Sequence, residues 1–148
     1  MTTIAPDPTP TVRSTPWHLW LAGGLSLLWN AFGAFDWTMS HVRGEAYFRQ
    51  SGMSEAQIAA FHTYPSWMEL FWALGVWGAV MGSVMLLFRS RWAVPALAAS
   101  LLGAAVNLLY ATALARPTHL DPITVVITFV AVLLIWYAWF MNRRGTLA

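Results

Sequence analysis

Four long apolar runs occupy most of the chain, at residues 17–39, 66–88, 93–115 and 123–141. Each is about 19–23 residues long, close to the roughly 20 that carry an α-helix across a ~30 Å hydrocarbon core. The 148 residues are 58% hydrophobic and 9% charged, whereas a water-soluble domain is about a quarter charged. A core built from so short a chain cannot hide this much apolar surface, so lipid must cover part of it. The expected fold is all-α: an integral membrane four-helix bundle with short connections.

The segments between the runs differ in kind. Residues 1–16 hold Pro6, Pro8, Pro10 and Pro16, which forbid a helix and have little to bury, so this tail is expected to be extended and disordered. The first run is longer than the apolar core of a secretory leader and ends at Phe35, Asp36 and Trp37, a poor cleavage context, so it reads as a true span. The connection over residues 40–65 is polar. Within it Ser54 reads as the N-cap of a short helix through Phe61, with Glu55 and Gln57 in its first turn and Ile58 and Phe61 as an i,i+3 apolar pair. Its expected place is the membrane surface. Residues 142–148 form a short C-terminal tail.

All eight basic residues are arginine and the net charge is +2. They cluster at the ends of the runs, which points to membrane orientation rather than nucleic-acid binding. With both termini cytoplasmic, Arg13, Arg89, Arg91, Arg143 and Arg144 lie inside, against Arg43, Arg49 and Arg116 outside. That arrangement is the one expected. The absence of cysteine excludes disulfides and thiolate metal sites.

In lipid, helices associate where small residues let backbones approach. Gly23 and Gly33 lie with Ser26 and Asn30 on one face of the first span, Gly75, Gly78 and Gly82 stripe the second, and Ser100 and Gly103 lie with Asn107 on the third. These are the expected packing faces, with the Gly78/Gly82 face also a candidate homodimer contact. Asn30 and Asn107 are 13 and 14 residues from the same side of the membrane, about 20 Å deep, and their faces are expected to meet. The fourth span, rich in Val, Ile and Leu, is expected to be the most lipid-exposed.

Asp36 and Glu69 are the two carboxylates within the runs, each three residues from the outer end. Either they reach headgroup water or pair with Arg43, Arg49 or Arg116, or they join Asn30 and Asn107 in an outward-facing polar cavity. Glu69 lies about 120–180° from the Gly75/Gly78 stripe, which sets it on a different face. His41, His62 and His119 lack metal-ligand spacing and read as surface or capping residues, so no metal or other cofactor is expected. Trp29, Trp72 and Trp77 lie deeper than the interfacial aromatics and are expected to fill the bundle. No nucleophile elbow, phosphate loop or dinucleotide fingerprint is present, and the expectation is a protein that is not an enzyme.

Residues 28–37, with Trp29, Asn30, Gly33 and Asp36, residues 71–78 and residues 89–93 resemble a group of small four-span proteobacterial membrane proteins. Some of that group carry the label "sugar transporter". The resemblance implies a bacterial inner membrane and a four-helix bundle, and assigns no catalytic residue. Together these readings leave two functions: an accessory subunit of a membrane complex or small binding protein, and a small transporter of a solute, such as a sugar, or of protons. The expected partners are the lipid bilayer, a larger membrane complex or a second copy, and no nucleic acid.

Overall fold

The computed structural model describes residues 15–114 and 122–147, and among them every regular element is a helix. Four long helices build the bundle: α1 (Trp17–Arg43), α4 (Ser66–Leu87), α5 (Ala93–Leu109, continued by a π-helical turn over Tyr110–Leu114) and α6 (Pro122–Arg143). Two short ones, α2 (Glu45–Gln50) and α3 (Glu55–His62), join α1 to α4. By length and composition α4, α5 with its π turn, and α6 are each apolar enough to cross a membrane. These are the features of a membrane protein. The 27-residue α1 is long enough to cross but more polar. Residues 1–14, with Arg13, and the 115–121 segment, with Arg116, His119 and Asp121, lie outside the described residues.

Local chemistry sets the boundaries. α1 starts after Pro16 and runs four residues past the expected end, stopping at Gly44 (φ 52°), whose N–H bonds back to Ser40 O. Within the polar connection a further short helix, α2, precedes the expected one. The expected cap of α3 is present, with Ser54 Oγ accepting from Gln57 N and Gln57 Oε1 accepting from Ser54 N, a reciprocal capping box. α4 and α6 both end in Schellman turns: Ser90 N donates to Met85 O and Arg89 N to Leu86 O, Thr146 N to Met141 O and Gly145 N to Asn142 O. Gly145 takes the left-handed position easily (φ 68°), whereas Arg89 (φ 58°) is a residue that rarely occupies it. The Arg89 Nε donates to Thr146 O at 3.3 Å, tying the α4–α5 turn to the C-terminal segment.

α4 is the hub, packing on α5 along one face and on α1 along another, and α5 in turn supports α6. On the α5 side the small-residue stripes interlock. A Cβ added at Gly78 would sit 3.1 Å from Ser100 N, one at Gly82 2.6 Å from Leu97 Cγ, and one at Gly103 2.5 Å from both Gly75 N and Phe71 O. Ser100 Oγ donates to Gly75 O at 2.6 Å across the seam. The Gly78/Gly82 face is therefore filled from within the chain, which corrects its assignment to a homodimer contact: a second copy cannot reach it.

On the α1 side the contact line is Gly23, Ser26, Asn30, Ala34, Trp37 and His41. A Cβ at Gly23 would meet Leu87 at 2.7 Å, and Ser26 and Asn30 both bond to Ser83. This line steps by three or four residues, and at its centre the buried residue is Ala34, one position and about 100° from Gly33. A Cβ at Gly33 would meet nothing within 4 Å, so the expected packing role of Gly33 is corrected. The opposite face of α1 presents Leu21, Leu25, Leu28, Phe32 and Phe35, all exposed. α6 is the least covered: 6% of its most apolar stretch is buried, against 17% in α4 and 22% in α5. This is the exposure its composition had suggested.

The charged groups divide the bundle. One end carries Asp36, Glu45, Glu55 and Glu69 with Arg43 and Arg49; the other carries Arg89, Arg91, Arg143 and Arg144 and no described acid. At the basic end Leu19, Leu86, Ala93, Leu97, Ala138 and Met141 form the tightest core. Leu147 joins it, so the C-terminal segment folds back onto the bundle.

Candidate functional site

Packing α1 on one side of α4 and α6 on the far side of α5 leaves a cavity of about 200 Å³ inside the bundle. All four long helices line it. Asn30 comes from α1, Trp72 and Gly75 from α4, Ser100 and Asn107 from α5, and Thr124 and Thr128 from α6. The polar lining is neutral throughout. Leu97 belongs both to the cavity wall and to the basic-end core, and Leu134 packs against that core, so the cavity has a closed apolar floor. Toward the acidic end a second, more open chamber of about 390 Å³ is lined by Phe61, His62, Tyr64, Met68 and Glu69, among others. Trp72 and Asn107 line both chambers and form the wall between them.

The structure thus divides the four residues expected to share one cavity. Asn30 and Asn107 both line the inner chamber, without a hydrogen bond between them. Glu69 lines the outer one with Asn107. Asp36 lines neither; its carboxylate accepts from Tyr47 Oη at 2.8 Å and so clasps α2 to α1. Neither carboxylate takes an arginine among the described residues. Arg49 instead donates to Glu45 (2.8 Å) and Glu55 (2.7 Å), and holds the Glu55 carboxyl below the usual range.

Glu69 pairs with His41, a residue that sequence spacing had left as a surface histidine. The imidazole stacks on Trp37, with ring centroids 4.0 Å apart, and its Nδ1 donates to Trp37 O at 2.7 Å. A backbone carbonyl has no proton to give, so Nδ1 carries the hydrogen of that bond. Both side chains are substantially exposed outside the bundle's packed interior, so the pair contributes ~1 kcal/mol at most.

The deep tryptophans are only partly internal. Trp29 and Trp77 are 42% and 47% exposed, so they lie at the bundle surface instead of filling it as expected. Trp72 is the internal one, in ring contact with Trp37, His41 and Phe61. Trp37 Nε1 is the one buried side-chain polar atom without a hydrogen-bond partner among the described residues.

No family model, curated protein or solved structure matches this chain. Its function therefore has to be argued from the chambers themselves. Among the described residues no group of three or more His, Asp and Glu side chains could hold a metal ion. The chemistry on offer is neutral hydrogen bonding inside the bundle and a carboxylate–histidine pair at its acidic end.

Proposed function

We propose that this chain is a noncatalytic, four-span bundle of the bacterial inner membrane that binds a small uncharged ligand in its inner chamber. The observation that carries the reading is the neutral cavity of about 200 Å³ lined by all four long helices. Interiors normally leave few voids larger than a water molecule. A cavity bearing two carboxamides and several hydroxyls is suited to recognition, with few directional groups set in an apolar wall. α1 counts as a span because Ser26 and Asn30 turn toward α4, while its lipid-facing side is apolar. Both termini and the arginine-rich end lie in the cytoplasm, by the excess of arginine there. The resemblance of residues 28–37, 71–78 and 89–93 to proteobacterial four-span proteins supports the bacterial setting.

Binding is preferred to transport because the inner chamber is blind. The core around Leu19, Leu86 and Met141 closes its basic end, so a solute path would require that core to part. Binding is also preferred to an accessory role, which has no need of an internal cavity.

Ala131→Phe places a ring in the chamber from α6. Native mass spectrometry of the protein released from its own membranes should show a noncovalent small-molecule adduct on the wild type and none on Ala131→Phe. The same spectrum for both proteins, or isolation of the wild type only within a larger complex, would contradict the binding reading.

A further inference from the structure

A cleft adjoins the inner chamber on its α1–α6 side. α1 and α6 make little direct contact with each other. They meet at the basic end, where His18 Nδ1 and Tyr137 Oη are 2.7 Å apart, and between them runs a cleft of about 380 Å³. Ala22, Leu25 and Trp29 form one wall, Val130, Leu133 and Tyr137 the other. Each wall is a single ridge of side chains at i, i+3, i+7 spacing, about 10 Å long. The hydroxyls that border it are already engaged, Ser26 with Ser83 and Tyr137 with His18. Trp29, Val130 and Leu134 line both cleft and chamber, so the two adjoin across these side chains. In a bilayer this cleft opens sideways into hydrocarbon, not to water.

Most of the chamber's carboxamide and hydroxyl hydrogens are already committed. Ser100 Oγ donates to Gly75 O, Thr128 Oγ1 to Thr124 O, and Asn30 Nδ2 to Ala79 O and Ser83 Oγ. Asn107 Nδ2 donates to Gly103 O and keeps one N–H. Also facing the chamber are the carboxamide oxygens of Asn30 and Asn107 and the lone pairs of Ser100 and Thr128, with the indoles of Trp29 and Trp72 in the wall beside them. None of these accepts a bond among the described residues. An acceptor that faces the chamber is paired by a ligand that brings a proton. No charged side chain lines the chamber, so it disfavours a phosphate or carboxylate head.

We propose that the site holds an uncharged single-chain lipid with a hydroxyl head, of the long-chain alcohol or monoacylglycerol class. The chain lies in the α1–α6 cleft and the hydroxyl donates to Asn30 and Asn107. The ligand arrives laterally from the membrane. This rests on the binding reading above and names its ligand class.

The test uses the full chain in phosphatidylcholine nanodiscs with three diazirine-bearing probes: hexadecanol, its methyl ether and hexadecanoate. Hexadecanol should label the 22–30 and 124–134 segments saturably, about tenfold more than either other probe. Leu134→Trp, which fills the junction of cleft and chamber, should abolish that labelling. Asn107→Leu, which keeps the size but removes an acceptor, should reduce the preference for alcohol over ether to about twofold. Equal saturable labelling by alcohol and ether would overturn the donor requirement while leaving ligand binding in place. Saturable labelling by none of the three would overturn the lipid class, even with the native-membrane adduct retained. Crosslinks from Leu133 to a second copy would make the cleft a subunit interface and overturn the proposal.

Discussion

Gly103→Ala should lower the melting temperature of the purified protein by about 5–10 °C, and Gly33→Ala should leave it unchanged or slightly higher. The two glycines look alike in sequence, each in a small-residue stripe of an apolar helix. At Gly103 an added methyl would sit 2.5 Å from Gly75 N and Phe71 O, both backbone atoms. Backbone cannot swing aside as a side chain can, so α4 and α5 must part along the most extensive contact in the molecule. Parting also stretches the 2.6 Å bond from Ser100 to Gly75 O. Overpacking of this kind costs ~1–3 kcal/mol, and each kcal/mol is worth about 2–4 °C in a chain of this size. At Gly33 the methyl enters open space and gains ~0.5–1 kcal/mol of helix propensity. Thermal unfolding in detergent, followed by circular dichroism, checks both. A wild-type melt for Gly103→Ala would mean that the α4–α5 seam is misplaced.

Trp72→Ala should join the two chambers. Trp72 lines both, and its ring touches Trp37 and His41 from α1 and Phe61 from α3. Removing a largely internal tryptophan costs at the low end of ~3–5 kcal/mol. The functional consequence is access. Because the chain has no cysteine, Ala104→Cys introduces a unique thiol in the inner chamber. With Trp72 present a small charged thiol reagent should modify it slowly; in Trp72→Ala the rate should rise at least tenfold. Equal rates would show that Trp72 does not separate the chambers.

The lengths of the apolar runs made the long helices legible, because hydrocarbon thickness leaves few alternatives. The capping pattern around Ser54 made α3 legible, since that chemistry is local. The small-residue faces were legible as faces, and the offset of Glu69 from the Gly75 stripe fits its place on the α1 side of α4. What was not legible is which face meets which. Gly78 and Gly82 suit a second copy as well as α5, and only the turn around Arg89 decides that α5 arrives first. Gly33 and Ala34 differ by one position, and the line of contact along α1 picks between them. The His41–Glu69 pair spans 28 residues and depends on α1 running past Met39. The docking of Leu147 follows from the left-handed turn at Gly145, which turns the chain back onto the core. The cavity itself arises from the gap between α1 and α6, an absence of contact that no residue pattern announces.

The central claim is that α1 crosses the bilayer with α4, α5 and α6, since without it the inner chamber loses a wall and the cleft does not exist. Single cysteines in place of Thr15, Gln50, Ser90 and Asn142 test it directly, read with a membrane-impermeant maleimide on intact and permeabilised spheroplasts. The account predicts that Gln50→Cys is modified in intact spheroplasts and that the other three are modified only after permeabilisation. Modification of Thr15→Cys together with Gln50→Cys in intact spheroplasts would place both ends of α1 on one side of the membrane and contradict it.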